Sequence, residues 1–157
     1  MTEKTKIKLN NVISKFSKEY QGLFREIAEY IISLGYNPKV NAGETYADFI
    51  KSKHGKTIMK IEMGYDNPSI PRLSIRFDAL PVCSGIFQEA IEHFIERCSR
   101  CRKCTGKLGN KYVLPDGREI FPCRAVIYMP FFNADNLSEV KDALKMQDDF
   151  LMTHCSK

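Results

Sequence analysis

The stretch "TYADFIKSKHGKTIMKIEMG", Thr45 to Gly64, reads as two strands that meet across His54-Gly55. In its second half Thr57, Met59, Ile61 and Met63 alternate with Lys56, Ile58, Lys60 and Glu62. A period of two puts each set on its own side of an extended chain. The run "RLSIRFDA" repeats the pattern, with Leu73, Ile75 and Phe77 on one face and Ser74, Arg76 and Asp78 on the other. Between them "YDNPSIP" is turn chemistry. Strands joined by short turns, each apolar on one side only, predict an antiparallel sheet with one buried and one wet face.

Helical periods flank these strands. From about Asn10 to Leu34, Ile13, Phe16, Tyr20, Leu23, Phe24, Ile27, Ile31 and Leu34 recur at three- and four-residue steps. That spacing predicts one long amphipathic helix packed on the core, stopped by Gly35 and Pro38. A second helix is expected from about Ser84 to Arg97, with Ile86, Phe87, Ala90, Ile91, Phe94 and Ile95 inward. "KYVLPDGREIF" predicts a hairpin turning at Asp116-Gly117, whose return strand carries Cys123 and continues as "AVIYM". A last helix is expected from Asp135 or Asn136, with Glu139 completing a capping box and Leu137, Val140, Leu144, Phe150 and Leu151 as its stripe. The order αβββαββα argues for an α+β fold. It predicts an antiparallel sheet of about five strands in hairpins, covered by three helices. Residues 1–157 form one domain in this reading, with a cysteine-rich knuckle at 98–123.

At 157 residues, with 43% hydrophobic and 27% charged residues, the chain has the composition of a soluble globular domain. Folding at that size buries about 70% of the unfolded surface, so no covalent staple is required. No apolar run approaches the roughly 20 residues of a membrane span, and "MTEKTKIKLNN" lacks a signal-peptide core. The expectation is a cytoplasmic protein with no membrane association.

Charge is concentrated. The net charge is +5, yet Arg97 to Arg124 holds eight basic residues (Arg97, Arg100, Arg102, Lys103, Lys107, Lys111, Arg118, Arg124) against Asp116 and Glu119. That segment carries +6 and the remainder −1. Such a patch suits an acidic protein, a phosphate-bearing ligand or nucleic acid. Tyr112, Phe121 and Tyr128 lie nearby, but strand alternation assigns them to core packing rather than to stacking on bases.

The six cysteines are Cys83, Cys98, Cys101, Cys104, Cys123 and Cys155. In a reducing compartment such a set points to metal or to thiol chemistry. Cys98, Cys101 and Cys104 form C-x2-C-x2-C, and Cys123 follows after 18 further residues. Zinc takes about four soft ligands in a tetrahedron, two of them from a C-x2-C turn and two from a facing element. Cys98, Cys101, Cys104 and Cys123 are therefore the expected structural Zn²⁺ ligands, with His154 or Cys155 as substitutes. Several basic neighbours would compensate the −2 charge of four thiolates on Zn²⁺. An iron–sulfur opening has a similar start, but there the last cysteine follows three residues on and precedes Pro, whereas Cys123 follows Pro122. A redox pair is disfavoured because the cluster follows the end of a helix, where the dipole opposes a thiolate.

Catalytic signals are sparse. His54 reads as a turn residue, His93 as part of a solvated helix face with Glu89, Glu92 and Arg97, and His154 as a tail residue. Cys83 precedes a helix start, where the dipole would activate a thiol, although a buried structural cysteine is the simpler reading. No Ser/His/Asp arrangement or phosphate loop is visible, so binding or regulation is expected over catalysis.

The run "CRKCTGKLGNKYVLPDGREIFPCRAVIYMP" resembles small uncharacterised bacterial proteins in which C-x2-C is followed by a D-G hairpin and a further Cys. The resemblance covers a quarter to a third of the chain. It implies that Cys101, Cys104 and Cys123 act together, with Cys98 the outlying member.

Overall fold

The computed structural model describes residues 1–65, 67–76, 85–97, 112–113, 116–120, 126–129 and 132–155. The expected single N-terminal helix is two, α1 (Glu3–Ser14) and α2 (Lys18–Ser33). The break has a tertiary cause. The backbone N–H of Ser17 donates to the carbonyl of Ser69, 3.0 Å away, and Ser17 is extended. Gln21 then satisfies two carbonyls that end α1, its Nε2 donating to Phe16 O (2.9 Å) and Ser14 O (3.3 Å). Phe16 lies in the break yet is buried, edge-on to Phe24. The apolar period therefore runs through a bend it does not reveal.

Gly35 ends α2 as expected, at φ +90°. Its N–H donates to Ile32 O and that of Tyr36 to Ile31 O, the two bonds of a Schellman motif. Tyr36 is thereby turned inward opposite Ile31, and both are buried. The chain runs directly into β1 (Asn37–Val40), a strand the sequence reading lacks. Pro38 is tolerated there because β1 forms an edge of the sheet.

Five strands, β1, β2 (Tyr46–Ile50), β3 (Thr57–Met63), β4 (Pro71–Arg76) and β7 (Val126–Met129), lie in the order β1-β2-β3-β4-β7, every pair antiparallel. The α+β architecture is the expected one, with four helices among the described residues rather than three. Across the sheet Phe49 faces Met59, Ile61 faces Leu73, and Ile75 faces Ile127, and all of these are buried. Fully burying each such side chain contributes about 1.5–3 kcal/mol. Ile58 departs from the alternation. The register shifts between Phe49 and Ile50, and Ile58 is fully buried at that irregularity instead of joining the polar row.

The Asp116-Gly117 hairpin forms as expected, joining β5 (Tyr112–Val113) to β6 (Glu119–Ile120), with Gly117 at φ +83°. Its strands make a sheet separate from the one that holds β7 (Val126–Met129), and the expected continuation through Cys123 lies outside the described residues.

Helices α1, α2 and α4 (Leu137–His154) share one apolar core with the sheet, and α3 (Ile86–Arg97) lies along β7. The capping box expected at Asn136 and Glu139 is not made. The Asn136 carbonyl Oδ1 accepts from the N–H of Asn133, and the Glu139 carboxylate accepts from the N–H of Ile86 at the start of α3. An anion at that helix N-terminus complements its dipole. No described helix is long and apolar enough to cross a membrane.

Candidate functional site

Cys83, Cys98, Cys101, Cys104 and Cys123 lie outside the described residues. Among the described residues no three His, Cys, Asp or Glu side chains are grouped to hold a metal ion. Cys155 follows α4 as a half-buried free thiol against the core. His154 stacks on Phe150, and its Nδ1–H donates to the Phe150 carbonyl at 3.0 Å. Of the segment's basic side chains, Arg118 is described, and it is held by Asp116 and by Glu92 of α3.

Chemistry-bearing side chains collect instead on the sheet face away from the core. The register sets Lys39, Asp48, Lys60, Ser74 and Tyr128 directly across from one another on successive strands, with Tyr46, Glu62 and Arg72 as the adjacent row. Lys60 Nζ lies 4.4 Å from the centre of the Tyr46 ring and 2.6 Å from Glu62 Oε2. Burial alone lowers the Lys60 pKa, and the hydrogen bond and charge of Glu62 more than reverse this, so its net shift is upward. Burial raises the Asp48 carboxyl, opposed by Lys60 and assisted by Glu62.

Arg72 is the unusual member. Its guanidinium carbon is 4.4 Å from the Tyr65 ring centre and 4.2 Å from that of Tyr128. Glu62 is its cross-strand partner, yet that carboxylate is committed to Lys60 and accepts also from the Tyr65 hydroxyl at 3.4 Å. Among the described residues Arg72 makes no ion pair, and its buried Nε has no hydrogen-bond partner. The loop presenting Tyr65 depends on Gly64, where a Cβ would come within 2.5 Å of the carbonyls of Asn67 and Ile70.

Two sequence expectations change here. Tyr128, assigned to the core, stands on the polar face, because Ile127 and Met129 take the buried positions on either side of it. His93, assigned to a solvated face, is half-buried with its ring edge toward Tyr128, 6.5 Å between centroids.

A second polar cluster is closed. Tyr36 and His54 are 1% and 3% exposed, and Asp148 of α4 is 6% exposed. His54 Nδ1 accepts from the backbone N–H of Lys56 (3.1 Å), so in the neutral ring the proton is on Nε2 and points to the Tyr36 oxygen (3.2 Å). The Tyr36 hydroxyl in turn donates to Asp148 Oδ1 at 2.9 Å. Lys51 Nζ completes the chain, donating to Asp148 Oδ1 (2.9 Å) and Oδ2 (3.1 Å). Burial, then the bond and charge of Asp148, push the Tyr36 phenol far above its usual range. Burial pushes His54 down, against the pull of Asp148. The cluster ties the α2–β1 corner, the β2–β3 loop and α4 together, and its fully bonded atoms suit holding the fold rather than meeting a substrate.

Sequence reasoning placed His54 in its turn but missed its partners. A signal was present: Val140, Leu144 and Leu151 set an apolar helical period that Gln147 and Asp148 interrupt, and both are buried. A charged residue at a stripe position is expected to be paired. No protein-family model, curated protein or solved structure matches this chain.

Proposed function

We propose that this chain is a zinc-stabilised binding domain for an anionic partner, working by recognition rather than catalysis in a reducing compartment such as the cytoplasm. The observation that carries this reading is Arg72. Its guanidinium is stacked between two tyrosines while the nearest carboxylate serves Lys60, which leaves its hydrogen-bonding edge uncommitted among the described residues. A planar donor fork held in place in this way suits phosphate or carboxylate oxygens. The segment from Arg97 to Arg124, of charge +6, leads from α3 into β7, the strand that carries Tyr128. In this reading Cys98, Cys101, Cys104 and Cys123 supply four thiolates to one Zn²⁺, and the donor chemistry suits that metal. The metal would fasten the end of α3 to the chain that returns to the sheet.

Two measurements test the proposal. Protein purified without added metal is expected to hold one zinc per chain by elemental analysis; iron and a brown colour would replace zinc with a cluster, and a metal-free reduced protein ends the metal claim. Inorganic polyphosphate is expected to bind with a steep dependence on salt. A log K that does not change with log[salt] removes the anionic partner.

A further inference from the structure

We infer that the sheet face around Arg72 binds single-stranded nucleic acid, with a base stacked on Tyr65 and a phosphate on Arg72. The inference rests on the anionic-partner reading and specifies the chemistry of that partner.

Three features favour a single strand over other polyanions. First, Tyr65 is 75% exposed, and one side of its ring is occupied by Arg72, so the ring is rigid on one side and available on the other. Its hydroxyl is anchored on Glu62, which reduces the ordering cost of stacking. An unpaired base has a π-face to match; inorganic phosphate and a polyglutamate chain have no ring to stack. Second, cations and rings alternate across neighbouring strands: Tyr46 with Lys60, then Tyr65 and Tyr128 around Arg72. Alternation of this kind matches a polymer whose bases and phosphates also alternate. Third, the face has a positive balance. Lys60 and Glu62 cancel as an ion pair, which leaves Lys39 and Arg72 against Asp48. A duplex hides its base faces, so the same surface offers it only the phosphate contacts.

The test uses the intact zinc-replete chain and four fluorescent probes: a mixed-sequence single-stranded oligonucleotide as DNA and as RNA, the matched duplex, inorganic polyphosphate and polyglutamate, the single strands counting as one probe class. Single strands are expected to bind at least tenfold more tightly than the other three. Tyr65→Leu removes the stacking ring at an exposed position and is expected to weaken single-strand binding roughly 5- to 150-fold. Polyphosphate binding is expected to fall less than single-strand binding, because Tyr128 still stacks on Arg72. Arg72→Gln is expected to weaken every anion and to lower the salt slope by about one. Equal loss for the DNA and RNA strands marks base stacking and supports the inference; a loss confined to RNA marks a 2′-hydroxyl contact in place of stacking and overturns it. Polyphosphate bound as tightly as single strands, or single-strand affinity untouched by Tyr65→Leu, overturns it while the anionic-partner reading stands. Tightest binding to polyglutamate overturns it in favour of an acidic protein. Failure to bind any of the probes removes both.

Discussion

The two polar clusters of this protein are built from the same materials and arrive at opposite ends. Each combines tyrosine, a carboxylate and a cation. In the closed cluster Lys51 lies 5.1 Å from the Tyr36 ring centre and also reaches Asp148, so the cation has both a ring and a carboxylate. On the open face Arg72 has two rings, but Glu62 is taken by Lys60. What separates them is the balance of donors and acceptors. A complete set stabilises the elements it joins, whereas a set short of one acceptor is poised for a ligand that supplies it.

The largest effect is expected at Asp148. The Lys51–Asp148 side chains are 17% and 9% exposed, so Asp148→Ala strands a largely buried cation and also removes the acceptor of Tyr36. A loss of about 3–5 kcal/mol is expected, read as a lower urea midpoint with unchanged m value. Loss below about 1 kcal/mol would show that the closed cluster contributes no more than a surface ion pair. Tyr36→Phe keeps the ring and deletes one hydroxyl, leaving His54 Nε2–H and Asp148 each short of a partner. Its expected cost is about 1–3 kcal/mol, by the same titration.

Acid gives a milder test of the same cluster. Burial lowers the folded-state pKa of His54 below its ordinary value of 6.5, so the folded protein favours the neutral ring. Below pH 6.5 the unfolded chain takes up the proton first, and stability falls until the folded-state pKa is passed. His54→Gln should flatten the stability profile between pH 7 and 5; an unchanged slope would assign the acid sensitivity to other groups. The smallest effect is expected on the open face. Arg72→Gln should change folding stability by no more than about 1 kcal/mol, since it removes cation–π contacts and no ion pair among the described residues. A cost as large as that at Asp148 would make Arg72 a structural residue, and the contrast between the clusters would collapse.

Much of the fold is legible because it depends on local periods. The alternation of Met59 with Ile61 and of Leu73 with Ile75 assigns the core face, although Ile58, Glu62 and Ser74 are buried as well, and Gly35 marks the end of α2. The break at Ser17 is not legible, since its cause is the Ser69 carbonyl some fifty residues away in the chain. Nor is the misassignment of Tyr128 avoidable from its own strand. Within "AVIYM" either parity offers large apolar side chains, and only pairing of Ser74 with Tyr128 decides the face. Glu139 likewise has a local role available at Asn136, yet it goes to the start of α3, a helix end that sequence cannot locate in space.

By itself, then, the sequence determined the α+β class, the antiparallel hairpins, the concentration of positive charge and the cysteine spacing, because each is written within a few residues. Tertiary structure alone decided which carboxylate serves which cation. Asp148 meets Lys51 and Tyr36 across 97 and 112 residues of chain, and Glu62 prefers Lys60 two positions away to Arg72 opposite. Hydrogen bonds and ion pairs act over about 3 Å, and folding sets distances of that order between residues remote in sequence.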